Sequence, residues 1–217
     1  MKKIIKYKDT RVIGVTGGIG SGQSSVCEIL ASQGCKIIDV DKKAKHIIKK
    51  DKTLQLKLKE AFGEEIFDRN GELNRRLLAN IAFSDGYKTQ LLNKLVHPRM
   101  VSEMIEEMET ARFSQRFPLI VVDAALIYEI SIEQMFDAII VVYTDLEHRI
   151  QRVMKRDNLT RDEILARVRR QIPLEEKRNW ADYVVDNNGS FEDMKKQTLK
   201  IFHELMETVR VEKGIRI

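Results

Sequence analysis

The chain has 217 residues, 43% of them hydrophobic, and 38 Lys or Arg against 33 Asp or Glu give it a net charge of +5. That length supports one substantial core with a smaller appended module. No run approaches the ~18 apolar residues of a membrane span, and no secretory apolar region follows Met1-Lys2-Lys3-Ile4-Ile5-Lys6, so a cytoplasmic protein with no membrane partner is expected.

Val12 to Thr16 is a short apolar run of the kind that forms a buried parallel strand. It leads into Gly17-Gly18-Ile19-Gly20-Ser21-Gly22-Gln23-Ser24-Ser25 and then a helical pattern over Ser24 to Gln33, stopped by Gly34. This is the setting of a phosphate-binding loop, matching GxxxxGK[ST] everywhere except the lysine, where Gln23 stands. Its glycines let the backbone wrap an anion so that N–H groups and the positive helix end face the phosphates. Ser24 supplies a hydroxyl for Mg²⁺. Gln23 can donate a hydrogen bond to a phosphate but brings no charge. A tight turn without a ligand is the plainer alternative, and four glycines in six residues between strand and helix weigh against it.

Cys27 and Cys35 lack metal-ligand spacing and the four histidines form no paired motif, so reduced buried thiols and no structural metal are expected. A second strand spans Lys36 to Asp39, and Asp39 and Asp41 share a side if its geometry persists one residue further. From Asp41 to about Arg112 only amphipathic helical patterns appear, around Ile47, Leu54, Leu78, Leu92 and Met104, an all-helical insertion able to form a substrate platform.

Strands follow at Leu119 to Val122, Ala138 to Tyr143 and Tyr183 to Val185, each expected to lead into a turn and a helix. Asp123 ends the first of these. Between Glu147 and Trp180 ten Lys or Arg face six Asp or Glu, with Thr160-Arg161-Asp162-Glu163 as a capping box. Beside a phosphate loop, so basic a segment reads as a cover for polyphosphate before a nucleic-acid footprint. The last helix is expected over Phe191 to Val211, with Met194, Leu199, Phe202 and Leu205 on its core face. The pattern as a whole is α/β with a parallel sheet, whose ligands bind outside the carboxyl edge.

The loop, Ile38-Asp39-Val40-Asp41 with Lys45, Gly71-Glu72-Leu73-Asn74-Arg75, His97-Pro98, Asp123-Ala124-Ala125-Leu126-Ile127-Tyr128-Glu129, Arg152-Val153-Met154-Lys155-Arg156-Asp157 and Ala181 to Ser190 together resemble dephospho-CoA kinases across nearly the whole chain. The resemblance implies transfer of the ATP γ-phosphoryl to the ribose 3′-hydroxyl of dephospho-CoA. It also implies a three-layer P-loop kinase core (1–40, 113–145 and 181–217), a helical CoA domain (41–112) and a helical lid (146–180), in a monomer or weak homo-oligomer with no nucleic-acid partner.

By the same resemblance Asp41 is the catalytic acid, orienting or deprotonating the acceptor hydroxyl, with Asp39 assisting beside it or capping the next helix. Asp123 and Ser24 hold Mg²⁺, residues 17–25 hold the ATP phosphates, and the loop containing Asn188 lies beside the adenine. Asn74, Arg75 and His97 line the acceptor side, where His97 also reads as a structural histidine before Pro98. Arg152 and Arg156, four apart on one helix face, close over the transferring phosphoryl or stand solvated.

Departures from the family pattern are Gln23, Lys45 for the usual arginine, Val101 for a frequent basic residue, and Ala125 for the usual proline. Of these Gln23 bears on the reaction. The missing charge is worth on the order of 3 kcal/mol, so either Mg²⁺, the lid arginines and Lys42 or Lys43 compensate, or the chain binds nucleotide and CoA without turnover.

Overall fold

The computed structural model describes residues 5–82, 84–207 and 209–213, and within them the side chains of residues 5, 41, 42, 44, 45 and 210–213 lie outside the description. In chain order the strands are β1 (Ile5–Lys8), β2 (Arg11–Gly17), β3 (Lys36–Asp39), β4 (Leu119–Asp123), β5 (Ala138–Tyr143), β6 (Tyr183–Asp186) and β7 (Arg210–Lys213). The helices are α1 (Gln23–Ser32), α2 (Val40–Lys50), α3 (Lys52–Phe62), α4 (Arg75–Ala82), α5 (Gly86–Ser114), α6 (Leu146–Asp157), α7 (Arg161–Val168), α8 (Leu174–Trp180) and α9 (Phe191–Met206).

The apolar runs form one five-stranded, all-parallel sheet in the order β3-β4-β2-β5-β6. Period-two alternation sends Ile13 and Val15 of β2, Leu119 and Val121 of β4, and Ile140 and Val142 of β5 to one face. There they join Val26, Ile29 and Leu30 of α1 and Met194, Phe202 and Leu205 of α9 in a buried cluster. Each such aliphatic side chain contributes about 2 kcal/mol of burial. Residues on the opposite face, such as Val12, Ile120, Val122 and Val141, are fully buried as well, the mark of a sheet covered on both sides.

Several boundaries depart from the expected ones. No helix follows β4: the chain crosses to β5 through turns and a short 3-10 segment, Glu133–Met135. The last helix ends at Met206 instead of Val211, because residues 210–213 leave it to pair antiparallel with β1. Strand geometry stops at Asp39 and α2 begins at Val40, so the alternation that would align Asp39 with Asp41 does not reach Asp41. Both capping residues behave as their chemistry requires. Thr160 opens α7 and Ser190 opens α9, each with a reciprocal capping box, to Glu163 and Asp193 respectively.

The chain divides into two compact units, residues 1–39 with 107–217, and residues 40–106. The second is helical, with Ile47, Leu54, Leu58, Phe62, Ile66 and Leu78 buried. In it Asp51 caps α3 by accepting from the Leu54 amide at 2.9 Å and pairs with Arg99 at 3.3 Å.

Candidate active site

β2 has a strand on either side, so the loop that leaves its carboxyl end is flanked by the ends of β4 and β5. Side chains that follow β5 and β6 pin it. The buried Ser21 carbonyl accepts from Thr144 Oγ1 at 2.9 Å and from Asn187 Nδ2 at 2.8 Å. Gly22 stands as N-cap of α1 at φ 95, and a β-carbon there would collide with Asn187 Nδ2, so the position excludes other residues twice over. No side chain caps α1 and its first turn holds no acid. Among the described residues no acceptor meets the amides of Gly20, Gly22, Gln23 or Ser24. A helix start left this way is an anion site.

Within the loop, Ile19 donates its amide to Gln171 Oε1 at 3.1 Å, and Ser21 Oγ is buried without a partner. The Ser25 amide bonds Gly22 O at 3.0 Å, and Gly17 and Gly18 lead in from the strand. Ser24 is exposed at the start of α1. The Gln23 amide is turned toward the strand ends, with Nε2 donating to Val15 O at 3.1 Å and to Asp123 Oδ1. Asp123 also accepts from the Cys27 thiol, whose pKa is raised by burial first and by this carboxylate second. Cys35 is likewise buried, which pushes its thiol up to about 12, and both cysteines are free.

Asp39 and Asp123 are register partners at the ends of β3 and β4, which sets two half-buried carboxylates side by side at the carboxyl edge. Asp41 belongs to α2 and its side chain lies outside the described residues, as do those of Lys42 and Lys45.

The basic segment presents three arginines differently. Arg152 donates to Asn187 O at 2.8 Å and so lies against the loop after β6. Arg156 is held away by a bidentate pair with Asp157, at 2.7 and 2.9 Å. Arg149 is buried against the phosphate loop, donating from Nε to Ile19 O at 2.9 Å. Asn188 ties the loop after β6 to the start of α6, accepting from the Asp145 amide at 2.9 Å.

In the helical unit Asn74 caps α4, its Oδ1 accepting from the Leu77 amide at 3.0 Å, and Arg75 is exposed on the first turn. His97 precedes Pro98 inside α5. Burial alone pushes its imidazole pKa below the usual 6.5. The unfolded chain then binds more protons than the folded one as pH falls through 6.5, so stability is lost toward acid. The urea midpoint is expected to drop between pH 7 and pH 5, and His97→Asn to shed part of that slope. A midpoint with the same slope in both proteins would show that His97 titrates normally.

Sequence reasoning passed over Thr144, Gln171 and Lys177, and placed Arg149 only within a charged patch. Lys177 is 0% exposed, its Nζ 2.6 Å from Glu129 Oε1 and 3.0 Å from Ala125 O. Glu129 Oε1 also accepts from the Ile172 amide at 3.0 Å. These side chains come from segments distant in sequence, and no local period relates them.

A loop of this construction takes phosphate groups, and strand-end carboxylates beside it suit transfer of one, so in class the chain is a P-loop nucleotide kinase. The family model described as dephospho-CoA kinase matches residues 11–193. A dephospho-CoA kinase of Bacillus licheniformis is 38% identical over 92% of this chain and 96% of its own, and one of Arabidopsis thaliana is 37% identical over 90% and 84%. Among solved structures, a Thermus thermophilus protein superposes with TM-score 0.77 at 36% identity, over 91% of this chain and 98% of its own. The dephospho-CoA kinase from Campylobacter jejuni does so with TM-score 0.61 at 26%, over 90% and 97%. The chain belongs to the dephospho-CoA kinase family.

Proposed function

We propose that the protein transfers the γ-phosphoryl group of ATP to the ribose 3′-hydroxyl of dephospho-CoA, releasing CoA and ADP in the cytoplasm. The observation that carries this reading is the set of acceptor-free amides at the phosphate loop, beside the paired Asp39 and Asp123, in a chain matched to its family from residue 11 to 193. Residues 17–25 cradle the phosphates and the loop with Asn188 takes the adenine side. Asp41 accepts the acceptor-hydroxyl proton, or orients it, as an oxygen attacks phosphorus in line with the leaving ADP oxygen. Asp39 supports that charge. Asn74, Arg75 and His97 bind the acceptor within a CoA domain of residues 41–112. Arg152 and Arg156 belong to a lid of residues 146–180 and stabilise charge on the transferring group.

Mg²⁺ fits as an ion that arrives with the nucleotide. It is usually bound by one or two carboxylates with substrate phosphates and waters, and Asp123 with the exposed Ser24 supplies such a partial set. Among the described residues no three His, Cys, Asp or Glu side chains are placed to hold a resident ion. When bound, Mg²⁺ neutralises charge on the phosphate oxygens.

The test is ADP release with ATP and Mg²⁺, in the presence and absence of dephospho-CoA, with CoA identified by mass. Acceptor-dependent ADP and an equal amount of CoA are expected. Nucleotide binding without CoA would overturn the assignment in favour of a binding protein.

A further inference from the structure

We propose that Arg149, on α6, carries the positive charge that the phosphate loop lacks at Gln23, and that its guanidinium meets the β- and γ-phosphates of the bound nucleotide. The proposal rests on the ATP-binding part of the reading above. Its first ground is a buried charge without a counter-charge. Arg149 is 4% exposed and donates only from Nε, to Ile19 O. Among the described residues no carboxylate lies within ion-pair distance of it. Glu175 acts on it only at longer range, and burial dominates in pulling its pKa down. A buried guanidinium is costly unless an anion meets it.

Its second ground is where that charge sits. A β-carbon built on Gly18 would stand 2.6 Å from Arg149 Cζ and Nη2, and one on Gly20 2.7 Å from Arg149 O, so the loop glycines admit the arginine as well as the ligand. A planar guanidinium presents two parallel N–H donors to phosphate oxygens, a match that a lysine point charge lacks.

The third ground is the state of Gln23. A primary amide has two N–H donors, and both are engaged, by Val15 O and Asp123. What remains is a carbonyl oxygen, which accepts and cannot donate to a phosphate. Gln23 therefore holds Asp123 in place while the cation comes from α6.

Binding of ATP and of AMP to the full-length protein tests this without any acceptor present, so the result is independent of dephospho-CoA turnover. Arg149→Gln is expected to weaken ATP at least about tenfold and to leave AMP, which lacks the β- and γ-phosphates, within about twofold. Arg149→Lys should keep more ATP affinity than Arg149→Gln. Adding Gln23→Lys to Arg149→Gln should recover ATP affinity, because the charge returns from the loop itself, whereas Gln23→Lys alone should lower CoA formation by crowding two cations. ATP affinity unchanged in Arg149→Gln, or an equal loss for ATP and AMP, would overturn the proposal. If Arg149→Gln does not fold, a tenfold rise in CoA formation with Gln23→Lys alone would overturn it too, and a measurable but lowered rate would support it.

Discussion

Asp41→Asn is expected to lower CoA formation by about a thousandfold, within the 10² to 10⁴ that a positioned general base contributes, while ATP binding changes less than about twofold. The amide keeps the shape of the side chain and its ability to orient a hydroxyl, but it cannot accept the proton. Asp41 is the second residue of α2, directly after the strand that ends in Asp39, and it belongs to the helical unit, whereas the phosphate loop belongs to the other. The cradle is built from the loop's own backbone amides, so removing the Asp41 charge should spare it. Single-turnover rates together with titration of ATP distinguish the two quantities. Should the variant keep more than a tenth of the wild-type rate, Asp41 would be a positioning group, and Asp39→Asn would then be the variant to lose the thousandfold.

Lys177→Ala should destabilise the protein by about 3 to 5 kcal/mol, the usual cost of breaking a buried ion pair by deleting one partner. Nothing of Lys177 reaches solvent and its ammonium is shared between Glu129 and Ala125 O, so the truncation leaves a mostly buried carboxylate without its counter-charge and takes a donor from Ala125 O. For a chain of this size the melting temperature should fall by roughly 10 °C. Burial is the largest single influence on the Lys177 pKa, and the net shift is downward in spite of Glu129, which marks the pair as a costly one. Replacing both, as Lys177→Met with Glu129→Leu, should accordingly recover most of the loss. A single variant that melts with the wild type would mean that the pair contributes nothing to folding.

Much of the architecture follows from local pattern. Val12 to Thr16, Lys36 to Asp39 and Ala138 to Tyr143 are apolar runs too short for helices, and each forms a strand of the sheet. Thr160 and Ser190 announce the helices they cap, because the capping bonds reach only three residues along the chain. The phosphate loop is legible for the same reason, since its spacing is the structure. The ribbon of β1 and β7 was not legible, because each strand is only four residues long and its partner is far away in the sequence, beyond the reach of any local pattern. The missing helix after β4 was hidden by turns that carry apolar residues such as Ile127 and Ile132 into the core.

By itself, then, the sequence determined the parallel α/β class, the loop after the first sheet strand, the carboxylates Asp39 and Asp123 at strand ends and the family. These are properties of residue type at fixed short spacing. Only the tertiary structure decided which way each polar group turns: Gln23 to Asp123, Arg149 onto the loop, Arg152 to Asn187 O, Arg156 to Asp157, and Lys177 to Glu129. A buried donor or charge must find its partner wherever packing brings one, and that partner is usually far away in the chain.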